Sequence, residues 1–370
     1  MTSVCGPIEL LAGFILVGLV LYDVFQSVVV PRWSDIRLRL SPLLIKWCWP
    51  IWRKMAFSVI SDDKRENFLG TFAPLALMIT LVMWVLSLIL GFAMAIYALS
   101  AEIKPVPSGF GDALYLAGTS LFTLGFGDMV ATGGLARVVL LLAAASGLAV
   151  VALVISLTFS LYGSFQRREV LILTLDARAG VPPSGLALLE TYAQYHMLDD
   201  LPLTFSAWEV WAAEMLESHI AYPILPYFRS SHTDESWISA LGAVLDAATL
   251  LMTTVQAGPE CQERLHGAAR MVYRLGCHAV TDLSHWFRFH AEGQGGCGVE
   301  RAEFENARQA LRRAGYGLRD AEEAWTDFVK YRSVYASSLN AMARHFATPP
   351  SQWIGDRSTL AFLHLSNPSA

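Results

Sequence analysis

Three apolar runs dominate the first half of the chain, at 8–30, 72–98 and 135–161. Each is long enough to cross a bilayer as a helix, which takes about 20 residues. Backbone in lipid must satisfy its own hydrogen bonds, so runs of this kind fold as helices. That restricts the first half to an α-helical membrane domain. The 370 residues are 54% hydrophobic and only 16% charged, which is poor in charge for a soluble protein. Residues 1–168 carry a net charge of +3 and residues 169–370 carry −8. A membrane domain followed by an acidic, soluble one fits this asymmetry. The first run has no Lys or Arg before it and no small-residue cleavage site after it. It therefore reads as a retained anchor rather than a signal peptide.

Orientation follows from the basic residues of the short loops. Arg32, Arg37, Arg39, Lys46, Arg53, Lys54, Lys64 and Arg65 lie between the first and second runs, and Arg167 and Arg168 follow the third. Between the second and third, Lys104 stands alone before Arg137. Residues 31–70 and everything after 166 are expected in the cytoplasm, with the N-terminus and residues 100–134 outside. The implied location is a cell (inner) membrane.

Within the basic loop, "IKWCWPIWRKM" sets Trp47, Trp49 and Trp52 among Lys46, Arg53 and Lys54. Tryptophan and basic residues together favour the headgroup region. Pro42 and Pro50 are expected to break the segment into one or two short helices on the membrane surface, or into a loop on the soluble domain. Beyond 168, helical runs are expected at 185–197, 205–221, 235–256, 260–292 and 300–346. Run 237–255 is apolar enough to raise a fourth span, but Asp246 at its centre favours a buried core helix. The expected division is an N-terminal helix (1–31), a surface segment (32–69), a pore domain (70–166), a linker (167–184), a helical cytoplasmic domain (185–346) and a loose tail (347–370).

Between the second and third runs lies TLGFGD, residues 123–128. Residues 109–122 before it are too short to cross a bilayer but long enough for a half-helix, with Ser108 or Asp112 at its start. The C-terminal end of such a helix carries partial negative charge and favours a cation. Gly125 and Gly127 allow positive φ at alternating positions. Successive carbonyls then point to one side, which is what dehydrating a monovalent cation requires. Non-helical backbone at membrane depth is tolerated where it is buried or lines a wet cavity.

TLGFGD closely resembles the T-V-G-Y-G-D signature of the potassium-channel pore family, with Leu124 for valine and Phe126 for tyrosine. The order of outer helix, pore half-helix, filter and inner helix is also similar. The wider layout resembles bacterial channels with one extra N-terminal transmembrane helix and a helical tail. The resemblance implies an all-α membrane protein with a potassium-channel-like pore. It implies that the carbonyls of Thr123, Leu124, Gly125 and Phe126, with the Thr123 hydroxyl, bind dehydrated K⁺. Gly127, Asp128, Tyr115 and Thr119 would support the filter, Tyr115 pairing with Asp128. Thr119 stands where the family carries an acid. Gly147 falls at the family's gating-hinge position, though "AAASGLAV" equally suits close helix packing. Ser156, Thr158 and Ser160 would line the inner mouth. One filter per chain implies a homotetramer, since a carbonyl cage needs four loops about one axis.

The expected function is a homotetrameric, K⁺-selective channel in a lipid bilayer, its cytoplasmic domain serving assembly or gating. The alternatives are a weakly selective cation channel and a non-conducting membrane sensor on a channel-like scaffold. Asp23, an acid inside the first run, suits an assembly or a sensing role. His278, Asp282 and His285 share a helix face, as a metal site would, but two histidines and an acid are ordinary surface residues too. His219, His232 and Asp234 are weaker candidates. The five cysteines (Cys5, Cys48, Cys261, Cys277, Cys297) contain no CxxC pair, so neither a zinc ribbon nor a disulfide framework is expected. No nucleophile elbow, P-loop, zinc-protease motif, dominant basic patch or arginine-rich apolar helix is present. An enzyme, a nucleic-acid binder, an organic cofactor and a voltage sensor are not expected.

Overall fold

A computed structural model describes residues 5–29, 40–231, 235–256, 260–289 and 296–354. Arg32, Arg37, Arg39, His232, Asp234 and residues 355–370 of the expected loose tail lie outside the described residues. The chain is mostly helical and divides into two units. One is Met1–Tyr162 with Ala221–Ile224; the other is Gly163–Ile220 with Leu225–Ala370.

The first unit holds α1 (Cys5–Val28), α2 (Leu40–Ser58), α3 (Asp62–Gly70), α4 (Phe72–Ala98), α5 (Phe110–Leu121) and the start of α6 (Gly134–Ala179). Helices α1, α4 and α6 carry the three expected spans. Their packing is close because glycine lets it be. A Cβ on Gly13 would come 2.5 Å from the Gly91 carbonyl, and one on Gly91 2.8 Å from Val17 Cγ2. The α1 and α4 backbones therefore touch, as small residues allow in lipid. Further along the pair, the Trp84 indole donates to the buried Asp23 carboxylate at 2.7 Å. Asp23 thus ties α1 to α4. A buried core of Val20, Leu88, Phe92, Ala117 and Ala143 joins these helices to α5.

Helix α2 runs through Pro50 instead of breaking there. Proline removes one backbone bond and crowds the preceding turn. Here packing offsets that cost. Trp49 and Ala56 are buried on one face, Trp49 lies 4.9 Å from Phe72, and Trp52 stacks on Phe68 at 4.6 Å. The Trp52 indole also donates to the Phe68 carbonyl at 3.1 Å.

In the second unit, the expected linker is helix as far as Ala179. Ser164, Arg168, Ile172, Leu175 and Ala179 recur at helical spacing and are all buried. Arg168 is therefore not a headgroup-facing cation. Its guanidinium donates to the carbonyls of Leu225 (3.2 Å) and Phe228 (2.7 Å) and to Glu169 (2.9 Å). His219 lies beside it at 3.4 Å and edge-on to Trp237 at 4.8 Å. Burial, with the Arg168 charge, holds His219 well below its ordinary pKa, so it stands as a neutral core residue.

Helices α7 (Gly185–Gln194), α8 (Leu201–Ala221), α9 (Trp237–Thr254) and α10 (Glu260–Trp286) follow. The expected run 300–346 is three helices: α11 (Arg301–Arg313), α12 (Ala321–Arg332) and α13 (Ala336–Phe346). Gly315, at φ 96°, ends α11 in the left-handed conformation that favours glycine. Asp320 opens α12 by accepting from the backbone of Glu322 and Glu323. Ser236 caps α9, its hydroxyl accepting from the Ser239 N–H. Every residue of α9 except Met252 is buried, enclosed by α7, α10, α12 and α13. Though long and apolar enough for a fourth span, it is the core helix of this unit.

Asp176, on α6, meets the buried Glu235 carboxyl, with Glu169 nearby. Two neighbouring carboxyls resist ionising together. Burial, then Asp176, pushes Glu235 up to about 8. An acid whose pKa is raised by folding stabilises the fold at low pH and loses that contribution as pH rises through the folded value. The melting temperature of the full chain in detergent is therefore expected to fall between pH 6 and pH 8.5. Glu235→Gln should flatten that slope; an unchanged slope would remove Glu235 as its cause.

Candidate functional site: the re-entrant turn

The site is built on α5. Gly109 is its N-cap and offers no side chain. Asp112 instead takes the backbone N–H and hydroxyl of Ser108, both at 2.7 Å. At the other end the chain does not simply leave the helix. The Phe122 N–H donates to Gly118 O, Thr123 N–H to Ser120 O and Leu124 N–H to Thr119 O at 2.8 Å. These bonds lash TLGFGD to the C-terminal turn of α5. That turn's partial negative charge then lies beside the returning strand of backbone.

Positive φ occurs at Thr123 (55°), Gly125 (55°) and Gly127 (81°). The alternation expected from the two glycines is present, and it extends to a threonine. A β-branched residue there carries strain of about 1–3 kcal/mol and persists where its surroundings over-determine it. Such alternation turns successive peptide units so that carbonyls can share one side, the requirement for a column of cation ligands.

Tyr115, Thr119 and Gly147 lie around this turn. The Tyr115 hydroxyl lies beside the Asp128 carboxylate. Thr119 is buried; its hydroxyl bonds the Leu116 carbonyl at 3.1 Å while its own carbonyl holds Leu124. Gly147, on α6, lies against the end of α5: an added Cβ would fall 1.9 Å from the Leu121 carbonyl oxygen. Helix α6 is unbroken through this position, so close packing is the visible role of Gly147. Ser156, Thr158 and Ser160 are exposed on α6, and the Thr158 hydroxyl bonds back to Val154 O. Leu124 is 57% exposed and Phe126 68% within one chain.

Sequence reading missed the outer brace. Strands β1 (Ile103–Lys104) and β2 (Val130–Ala131) pair antiparallel and close the loop around α5 and the turn. Glu102 anchors it, its carboxylate accepting from the Ala136 N–H at 2.9 Å and its carbonyl from Thr132 at 2.7 Å. Gly133 makes room, since a Cβ there would strike the Glu102 side chain at 2.0 Å. The signal was available: an acid near a helix start two strands away satisfies its first N–H groups.

His278 makes an exposed pair with Asp282 at 3.4 Å. Among the described residues no cluster of three His, Cys, Asp or Glu side chains could hold a metal ion. The spacing of His278, Asp282 and His285 is that of an ordinary solvated face.

Residues 82–163 match a family model described as "Ion channel". The match spans most of α4, α5, the turn and the first part of α6. A protein from Bacillus subtilis (strain 168), named "Uncharacterized membrane protein YdjJ", is 25% identical over 240 residues, 64% of this chain and 68% of its own. No solved structure matches the chain. The chain is thus a mostly helical membrane protein carrying an ion-channel-type pore segment.

Proposed function

We propose that the chain is one subunit of a homotetrameric channel that conducts K⁺ passively and selectively across a cell membrane. The observation that carries this reading is the alternation of positive φ at Thr123, Gly125 and Gly127, on a turn tied to a half-helix. Four such turns about one axis would offer K⁺ the carbonyls of Thr123, Leu124, Gly125 and Phe126 in place of its water. The exposed Leu124 and Phe126 side chains support the fourfold assembly, because neighbouring subunits would cover them. The helical cytoplasmic domain would serve assembly or gating, with α6 as the shared element. The Lys- and Arg-rich loop sets the orientation: N-terminus outside, helical domain in the cytoplasm.

A bi-ionic reversal potential in liposomes, K⁺ against Na⁺, tests the reading. It is expected near the K⁺ equilibrium value, with flux abolished by Gly125→Asp. That variant puts a side chain on a positive-φ backbone and a carboxylate among the carbonyls. A potential near zero would replace this reading with a weakly selective cation pore. A folded tetramer without flux in any condition would replace it with a sensor on a channel-like scaffold.

A further inference from the structure

Helix α2 is apolar on two opposite faces. One face is occupied: Ile45, Trp49 and Ala56 are buried, and Trp49 and Trp52 clasp Phe72, the first residue of α4, and Phe68 of α3. The outer face carries Leu43, Trp47, Ile51 and Met55, spaced four apart and 40–70% exposed. Lys46, Arg53 and Lys54 flank or interrupt it, and the helix contains no acid. In α3 the acids Asp62, Asp63 and Glu66 exceed Lys64 and Arg65 by one charge, which leaves α2 and α3 together net positive. A basic helix that shows water tryptophan, isoleucine and methionine is not at rest in water. It lies in sequence between α1 and α4, so its position is confined to the membrane boundary on the basic side.

We propose that α2 is an in-plane arm that embeds Trp47, Ile51 and Met55 in the adjoining leaflet, binds anionic phospholipid headgroups through Lys46, Arg53 and Lys54, and transmits its position to the foot of α4 through Trp49 and Trp52. The inference rests on the membrane-spanning part of the proposed function and not on ion selectivity. Charge complementarity selects the occupant. A basic, acid-free surface attracts anionic lipid, long basic side chains reach headgroups while their stems lie on apolar surface, and tryptophan prefers the interface. A neighbouring copy presenting the same positive helix would be repelled.

The test uses the full chain, reconstituted in phosphatidylcholine vesicles with and without phosphatidylglycerol. Nitroxide labels are placed singly at Trp47→Cys, Ile51→Cys and Met55→Cys in a Cys5→Ser, Cys48→Ser, Cys261→Ser background, in which Cys277 and Cys297 are buried, with the exposed Arg270→Cys as an aqueous reference. Labels at 47, 51 and 55 are expected to meet dissolved oxygen and to be shielded from a water-soluble nickel chelate. Access to the chelate equal to that at 270 would overturn the proposal, as would shielding from both reagents, the mark of a neighbouring subunit. Preference of spin-labelled phosphatidylglycerol for the protein boundary should drop roughly fivefold for each charge removed by Lys46→Gln and Lys54→Gln. An unchanged preference would overturn the anionic-lipid half. Flotation with vesicles reports insertion and flux reports the pore, so failure of either is distinguishable from failure at α2.

Discussion

Gly147→Ala is expected to disable the pore, while the same substitution at Gly163, on the same helix, is harmless. The contrast comes from what each Cβ would meet. At Gly163 the nearest atom is the tip of the Arg167 side chain, 3.7 Å away. Alanine there should slightly favour the helix, since glycine is the poorer helix former. At Gly147 the added carbon would lie 1.9 Å from the Leu121 carbonyl oxygen and 2.8 Å from its carbon. Those are backbone atoms, so no rotamer change relieves the clash; α5 or α6 must shift. Overpacking of this kind costs about 1–3 kcal/mol or more. The displaced turn is the one whose carbonyls hold Thr123 and Leu124. A 3 kcal/mol penalty lowers the population of the ordered turn by about a hundredfold. Reconstituted Gly147→Ala should therefore lose K⁺ flux or K⁺/Na⁺ discrimination, with less tetramer recovered. If alanine at 147 changes open probability alone, with selectivity and assembly intact, Gly147 acts as a hinge and the packing account fails.

The turn and the spans are readable in the sequence because each is encoded locally. Glycine at 125 and 127 specifies backbone conformation directly, and apolar runs of membrane length specify spans. The ends of α11 and α12 were equally local, since Gly315 and Asp320 are a helix stop and a helix start, yet both fall inside a run that reads as one helix. What could not be read is charge put to an unexpected use. Arg168 follows a span and looks like a cytoplasmic anchor, but its partners are the Leu225 and Phe228 carbonyls, some sixty residues on. Asp23 likewise gives no sign that its partner is an indole 61 positions away. β1 and β2 are two residues each, too short to show alternation. Gly147 is ambiguous in sequence because bending and close approach both select glycine; the distance to Leu121 is a tertiary fact.

The same kind of long-range pairing yields the largest expected loss of stability in the helical unit. Arg332 is fully buried and every guanidinium nitrogen is used. Nε donates to Asp246 Oδ1 at 2.8 Å and Nη2 to Oδ2 at 3.3 Å; Nη2 also reaches Trp353 O at 2.8 Å, and Nη1 the Cys297 carbonyl. Tyr335 donates to Asp246 Oδ1 at 2.6 Å and lies 3.2 Å from the Thr249 hydroxyl. One ion pair thus ties α9 to α12, to the start of α13 and to the segments at 297 and 353. Removing one partner leaves the other's charge buried without compensation, at a cost of about 3–5 kcal/mol. Asp246→Ala and Arg332→Ala should each lower the melting temperature of this unit by roughly 10 °C. The double variant Asp246→Leu with Arg332→Met should lose much less, because no charge remains buried. Thermal unfolding of the full chain in detergent, followed by the fluorescence of the core tryptophans, measures all three. A double variant as unstable as the sum of the singles would mean that the two residues contribute independently, and would overturn the account of mutual compensation between two buried charges. Asp246→Ala at wild-type stability would show that α9 does not need its acid satisfied within the protein, and would remove the ion pair as a determinant of this unit's stability.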